Sequence, residues 1–490
     1  MPTRKIYSNT IAQIAGKILT ALISIVMIKI LTNYLDIAGY GLYSKIYNYL
    51  SIFAVIADLG LYTITVRELS AHKDDEVMVR KISGNILSLR TLSGIIIIAV
   101  SLLISLGLAG YDSPTATIGI AIAGLFTLAW LINSSLMSYL QATLRTEFSL
   151  IANTAGKLLT FGMILLFVAC YATIGQPERF TLVMLAGLAG NIFMTALTWW
   201  YTSRYMRIRF LWESDYILHI IRISLPYGLA LFLNVIFFKV DTILLSVMTE
   251  SSLADTVVAL YALPMKIVEV GMMYGTIFLN SLLPVLTTAL EKNDTKKVHS
   301  LTAHAWSILL FFWVGIATAG YMLAPEIIRL ISSREYIDTI IYGHTSVDAF
   351  RIVVWIFLFY FLSSLFTYTL IARSSQAKML TINAIVASVN IIGNIIVIPR
   401  YSFIGSAWVT LIAQILLVIL TYLAAKKHIH IRSVVRISIA ILLFATLWYI
   451  AMMSLSSYFT DTLMRLMILG WIFGIIYTLW IWLVYAYKKE

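Results

Sequence analysis

The chain has 490 residues, of which 60% are hydrophobic and only 12% charged, with a mean hydropathy of +0.91 and a net charge of +12. A soluble domain carries about a quarter of its residues as charge, so this composition excludes a water-soluble globular protein. The surplus of Lys and Arg is what the loops of a membrane protein supply, and it makes no case for nucleic-acid binding. The single cysteine, Cys170, excludes an intramolecular disulfide and a cysteine-based metal cluster.

A hydrocarbon core about 30 Å thick needs about 20 apolar residues per helix. Backbone groups in lipid must be satisfied internally, so each long apolar run is a helix. Residues 1–8 are short and basic and lead into a first span that carries no small-residue cleavage signature. The expected spans in the first half are about 10–32, 42–64, 83–108, 116–141, 149–172 and 180–202. A basic amphipathic connector follows over 203–223. Spans at about 224–248, 256–286, 301–324, 350–372, 377–398 and 404–425 come next, and a final pair covers about 436–457 and 463–486. The longest external connector, about 325–349, reads as a short amphipathic surface helix.

The loops orient this bundle. With 14 spans and both termini in the cytoplasm, the inside loops collect Arg4, Lys5, Arg80, Lys81, Arg145, Arg204, Arg207, Arg209, Lys296, Lys297, Lys426 and Lys427, among others. The outside loops carry only Arg179, Arg329, Arg334, Arg351, Arg400 and Arg465. That asymmetry is the positive-inside rule, and it places the chain in a plasma or inner membrane.

A weak internal repeat divides the spans. Leu42-Tyr43-Ser44-Lys45-Ile46 opens span 2, and Leu260-Tyr261-Ala262-Leu263-Pro264-Met265-Lys266-Ile267 opens span 8. Tyr139 to Arg145, followed by Asn153, recurs as Tyr368 to Arg373, followed by Asn383. The expected fold is an all-α membrane bundle of two six-helix lobes, 1–202 and 224–425, around a central cavity. Residues 426–490 add two further helices and a tail.

Charge inside a bilayer is costly and normally faces a cavity or a partner. The intramembrane charges are Lys17, Lys29, Lys45, Arg90, Lys157, Lys239, Lys266, Asp58, Asp241 and Glu269. All but Arg90 and Lys157 fall on spans 1, 2, 7 and 8, the corresponding helices of the two repeats. This distribution points to one hydrated cationic cavity, with Lys17, Lys29, Lys45, Lys157, Lys239 and Lys266 as candidate substrate-binding groups. Asp58, Asp241 and Glu269 are candidates for coupling to H⁺ or Na⁺.

Each of these residues also has a structural alternative. Lys29 and Lys45 lie toward span ends and can snorkel to headgroups, as can Arg90. Asp58 can pair with a nearby Lys or Arg, and Lys266 and Glu269, spaced i, i+3, can pair with each other. Lys239 and Asp241 are two apart and point to opposite sides of a helix. Asn383, Asn390 and Asn394 form a stripe on span 11, with Asn153 and Lys157 as a shorter counterpart on span 5, and buried amides often bridge packed helices.

Enzyme signals are poor. Asp74-Asp75-Glu76 sits among basic residues and reads as a solvated loop, the histidines show no metal spacing, and no P-loop is present. No cofactor is expected.

Two segments carry a family resemblance. Gly39-Tyr40-Gly41-Leu42-Tyr43, continuing to Ile56-Ala57-Asp58-Leu59-Gly60-Leu61 and Arg67, resembles the start of the Wzx-type polysaccharide-export flippases. Val389-Asn390-Ile391-Ile392-Gly393-Asn394-Ile395-Ile396-Val397-Ile398-Pro399-Arg400-Tyr401, then Ile404-Gly405-Ser406-Ala407, is similar to their C-terminal half. Those flippases belong to the superfamily of multidrug, oligosaccharidyl-lipid and polysaccharide exporters. The resemblance implies two lobes around a V-shaped cavity lined by helices 1, 2, 7 and 8. It also implies transport of a polyprenyl-diphosphate-linked oligosaccharide to the outer leaflet, with the bilayer and polysaccharide polymerase machinery as partners. The rival expectations are a multidrug cation antiporter of the same fold and a membrane glycosyl polymerase or ligase.

Overall fold

The structure is a computed structural model that describes residues 20, 22–72, 74–292, 294–373, 375–426 and positions 438, 446, 449, 450 and 454. Lys17, the first half of span 1 and the final pair of spans lie outside the described residues. The helices are α1 (Leu22–Tyr34), α2 (Ile37–Asp58), α3 (Leu61–Ala71), α4 (Glu76–Leu106), α5 (Pro114–Ala142), α6 (Thr146–Cys170), α7 (Gln176–Ser203) and α8 (Ser214–Met248). They continue as α9 (Ser251–Glu291), α10 (Thr295–Met322), α11 (Ala324–Ile331), α12 (Glu335–Asp338), α13 (Ser346–Val353), α14 (Ile356–Ala372) and α15 (Gln376–Ala425). Among the described residues there is no strand, and nine helical segments are long and apolar enough to cross a membrane. The expected all-α membrane fold is therefore present.

Local chemistry fixes the helix ends. Asp36 caps α2 by accepting the Gly39 amide at 2.6 Å, and Ser113 caps α5 just before Pro114. Asp75, within the acidic run expected to be a solvated loop, caps α4 through the amides of Val77 and Met78 at 3.0 Å. Its neighbour Glu76 pairs with Arg80 one turn on, at 2.9 Å.

Two departures from the expected boundaries have physical causes. Span 2 is broken: Leu59 and Gly60 both take left-handed backbone, at φ 46° and 71°. A methyl group on Gly60 would meet the Tyr227 ring at 2.6 Å, and one on Gly228 would meet the Leu59 carbonyl oxygen at 2.6 Å. The break is thus seated directly against α8. The expected boundary between spans 11 and 12 holds: α15 is two helices divided by a kink at Ser402 (φ 48°), just after Pro399. The connector is shorter than expected, because α8 begins at Ser214 and carries Pro226 within it. The connector at about 325–349, expected to be one short amphipathic helix, instead holds α11 and α12 and the start of α13, which leads into α14.

The chain forms two compact units. The first comprises residues 1–262, 331–336 and 383–406, and the second 263–330, 337–382 and 407–490. In the first, α5 packs against α4 and α7, α6 against α7, and α2 against α8. One of its cores gathers Leu61, Ile82, Ile86, Leu140 and Ile220. In the second, α10 packs against α13 and α14, with Trp313 stacked on Phe361 at 4.0 Å and on Phe357 at 5.3 Å. Ile95, Ile96 and Leu103 on α4 and Leu165 and Leu166 on α6 are exposed, as lipid-facing side chains are, since acyl chains are as apolar as they are.

Candidate functional site

The ionisable groups of the first unit resolve into three buried clusters. The first is built on Asp241 of α8, which is fully buried. The Tyr261 hydroxyl of α9 donates to Asp241 Oδ2 at 2.6 Å, and the Asn394 amide of α15 donates to Asp241 Oδ1 at 3.0 Å. The same amide reaches Asn390 Oδ1 at 3.1 Å and the Asn390 carbonyl at 2.9 Å. The i, i+4 spacing of the two asparagines puts both amides on one face of α15. The Asn394 Oδ1 and Asn390 Nδ2 atoms are buried without a hydrogen-bond partner. An orphaned amide oxygen beside a carboxylate is a costly arrangement in a dry site, and it suits a bound proton donor or small cation. One residue further along α8, Thr242 accepts a hydrogen bond from Asn48 of α2 at 3.1 Å.

The second cluster joins Asp58, at the end of α2, to Arg90 of α4. The guanidinium is completely buried, donates to Asp58 Oδ1 at 2.6 Å, and reaches Ser135 Oγ of α5 at 3.2 Å. Arg90 does not snorkel. It ties together three helices through a charge-assisted pair.

The third cluster holds Lys45 of α2, only 2% exposed. Its ammonium lies 2.5 Å from Asp255 Oδ1 near the start of α9 and donates to the Gly110 carbonyl oxygen. It also sits 5.1 Å from the centre of the Tyr111 ring. Burial pushes the Tyr111 hydroxyl well above its ordinary range, so that ring stays neutral beside the ammonium.

The remaining candidates have other surroundings. The Lys29 ammonium donates to the Ser332 carbonyl oxygen at 2.5 Å. Lys157 and Lys239 are half-buried. In the second unit Lys266 pairs with Glu269 at 3.2 Å across one turn of α9, with the lysine half-exposed. Sequence reasoning missed Tyr261 as a partner of Asp241, although it stands in the repeated segment that opens span 8. It read Asn390 and Asn394 as helix-bridging amides, and their four-residue spacing was the available signal for a shared ligand face. Asp255 as the partner of Lys45 had no signal, because it read as a loop residue.

Comparison with known proteins places this architecture. The sequence profile of the family described as "Polysaccharide biosynthesis protein" matches residues 6–290, and the MatE profile matches residues 226–396. No curated protein matches the sequence significantly. Among solved structures, the lipid II flippase MurJ in an inward closed conformation superposes with a TM-score of 0.70 at 17% identity, covering 96% of this chain and 98% of that one. An inward-facing multidrug resistance MATE family transporter of the MOP superfamily gives 0.66 at 13% identity, over 88% and 98% of the two chains. A MOP superfamily transporter from Pyrococcus furiosus gives 0.58 at 14% identity, over 87% and 95%. These likenesses establish the fold, and the family profile covers more than half of the chain. The protein belongs to the polysaccharide biosynthesis protein family.

Proposed function

We propose that the protein is a flippase that carries a polyprenyl-diphosphate-linked oligosaccharide from the cytoplasmic to the outer leaflet by alternating access, with both termini cytoplasmic. The observation that carries this reading is the polysaccharide biosynthesis profile over residues 6–290. The fold shared with a lipid II flippase supports it. The physical task fits a lysine-rich membrane interior. A diphosphate–sugar headgroup cannot shed its water into hydrocarbon unaided, and ammonium groups replace that water with charge-assisted hydrogen bonds. The prenyl tail remains in lipid throughout.

Lys17, Lys29, Lys45, Lys157, Lys239 and Lys266 are the groups we assign to the headgroup path, with Lys17 and Lys239 the first to test. Of the three intramembrane acids, Asp58 is held by a guanidinium and Glu269 by an ammonium. Asp241 accepts from a phenol and an amide, next to the orphaned Asn394 Oδ1. We assign Asp241, along with Asp58 and Glu269, as a candidate to take up H⁺ or Na⁺ during the cycle, with Tyr261 and Asn394 orienting its carboxylate.

The experiment is complementation of a strain lacking the transporter, read as lipid-linked sugar retained in the cytoplasmic leaflet. Lys17→Ala and Lys239→Ala are expected to block export at wild-type protein levels, and Lys→Arg to rescue in part, because charge is kept while geometry changes. Normal export by both alanine variants overturns the reading. A second reading, an antiporter for cationic drugs, is favoured by the MatE profile over residues 226–396 and the MATE structural likeness. It predicts loss of drug resistance in the same variants with polymer export intact.

A further inference from the structure

The connector between α7 and α8 is built as a strap. After a turn at residues 204–206, residues 207–213 cross the start of α4 without regular secondary structure, tied by the Leu211 amide to the Gly84 carbonyl oxygen at 3.3 Å and by the Glu213 amide to Asn85 Oδ1 at 2.6 Å. Gly84 makes the crossing possible, because a methyl group there would lie 2.8 Å from the Arg209 carbonyl oxygen. From Met206 to Arg209 the side chains alternate between the core and the outside. Met206 is buried and Ile208 packs against the same core, while Arg207 and Arg209 point outward and are exposed. With Arg80, Ser83, Gly84 and Ser135, these two arginines line a notch at this end of the first unit.

The charges around the notch are unevenly satisfied. Arg80 is held by Glu76 and Lys81 by Glu213, while Arg145 and Arg204 lie over the rings of Tyr205 and Trp200 at 3.4 and 3.6 Å. Arg207 and Arg209 have no ion-pair partner among the described residues, and the Ser83 hydroxyl beside them is buried without a hydrogen-bond partner. Four large aromatic side chains flank the strap and are exposed: Trp200 at 49%, Tyr205 at 43%, Phe210 at 57% and Trp212 at 52%. The strap joins the ends of two membrane-spanning helices, so it lies at the level of the headgroups, where such rings settle.

We propose that this notch binds the phosphate of an anionic glycerophospholipid. The Arg207 and Arg209 guanidiniums hold the phosphate oxygens, the Ser83 hydroxyl donates to one of them, and the aromatic flank seats the acyl–glycerol region. A guanidinium fork matches phosphate geometry, and basic notches between membrane helices are suited to such headgroups. The bound lipid belongs to the resident bilayer and is not the cargo, so the inference stands apart from the transport reading above.

The test uses the full-length protein in neutral detergent, titrated with phosphatidylglycerol and followed by native mass spectrometry. Arg207→Gln and Arg209→Gln are each expected to weaken binding roughly five-fold, and the double variant roughly 25-fold. Arg207→Lys/Arg209→Lys, which keeps the charge but not the fork, is expected to bind between the wild type and the double glutamine variant. Lys296→Gln/Lys297→Gln, which removes the same charge at the start of α10, leaves it unchanged. If the double glutamine variant binds phosphatidylglycerol like the wild type, the arginines serve topology alone and the proposal fails. It fails equally if phosphatidylcholine binds as tightly as phosphatidylglycerol, if glycerol phosphate alone binds as tightly, or if a prenyl diphosphate competes for the notch. The single variants change exposed side chains outside any helix, so the test survives if the double variant is poorly expressed.

Discussion

The two compact units solve membrane burial differently. The first hides charge in pairs: Arg90 with Asp58, Lys45 with Asp255, and Asp241 among hydroxyl and amide groups. Both units also pack rings, as Tyr43 does with Tyr47 in the first. In the second, Trp313 stacks on Phe357 and Phe361, and Trp306 and Tyr422 meet Phe366. Its pairs of Lys266 with Glu269 and Arg351 with Asp348 are partly exposed, and one of its buried polar contacts is the neutral bond from Gln414 to Ser363 at 3.0 Å. In lipid there is little hydrophobic drive between helices, so packing and hydrogen bonding must hold them. Ring stacking spreads that cohesion over many weak contacts. A buried ion pair concentrates it in one place, where a single substitution is felt most.

The largest effect should follow from stranding a charge. Asp58→Ala leaves the fully buried Arg90 without its carboxylate and should cost about 3–5 kcal/mol, read as thermal unfolding in detergent. Adding Arg90→Met should recover most of that loss, because the double variant no longer buries an uncompensated charge. A single variant as stable as wild type would break the contrast between the units.

Lys45→Met is next. Asp255 is about a third exposed and can recruit water, so the cost should be about 1–2 kcal/mol in the same assay. In the second unit Phe361→Leu removes one stacked ring and should cost about 1 kcal/mol. If that ring change costs as much as Asp58→Ala, cohesion is not concentrated in the ion pairs of the first unit. Smallest of all, Lys266→Gln should shift stability by less than about 0.5 kcal/mol, because its pair with Glu269 is half in solvent.

Asp241→Asn sharpens the comparison from the side of function. The amide keeps the size of the side chain and can still accept from Tyr261, so the fold should hold with a change of about 1 kcal/mol. Transport and its dependence on the ion gradient should nevertheless be lost. Unaltered transport by this variant would remove Asp241 from the coupling scheme while leaving the flippase reading to the lysine variants.

The helical membrane fold was legible from composition and from the length of the apolar runs, because a bilayer imposes both on any chain that crosses it many times. The division of α15 at Pro399 to Ser402 was legible too, since proline cannot continue the hydrogen-bond ladder. So was the Lys266–Glu269 pair, which rests on helical spacing alone. The break at Leu59–Gly60 was not, because it depends on how closely α8 approaches at Gly228. Nor could the sequence select the partners of the buried charges. Arg90 lies 32 residues from Asp58 and Asn394 lies 153 residues from Asp241. Sequence alone determined which residues carry charge into the membrane, because each residue's helix is set by local periodicity. Only tertiary structure decided which of those charges are spent on holding helices together, because pairing depends on which faces the packed helices turn toward one another.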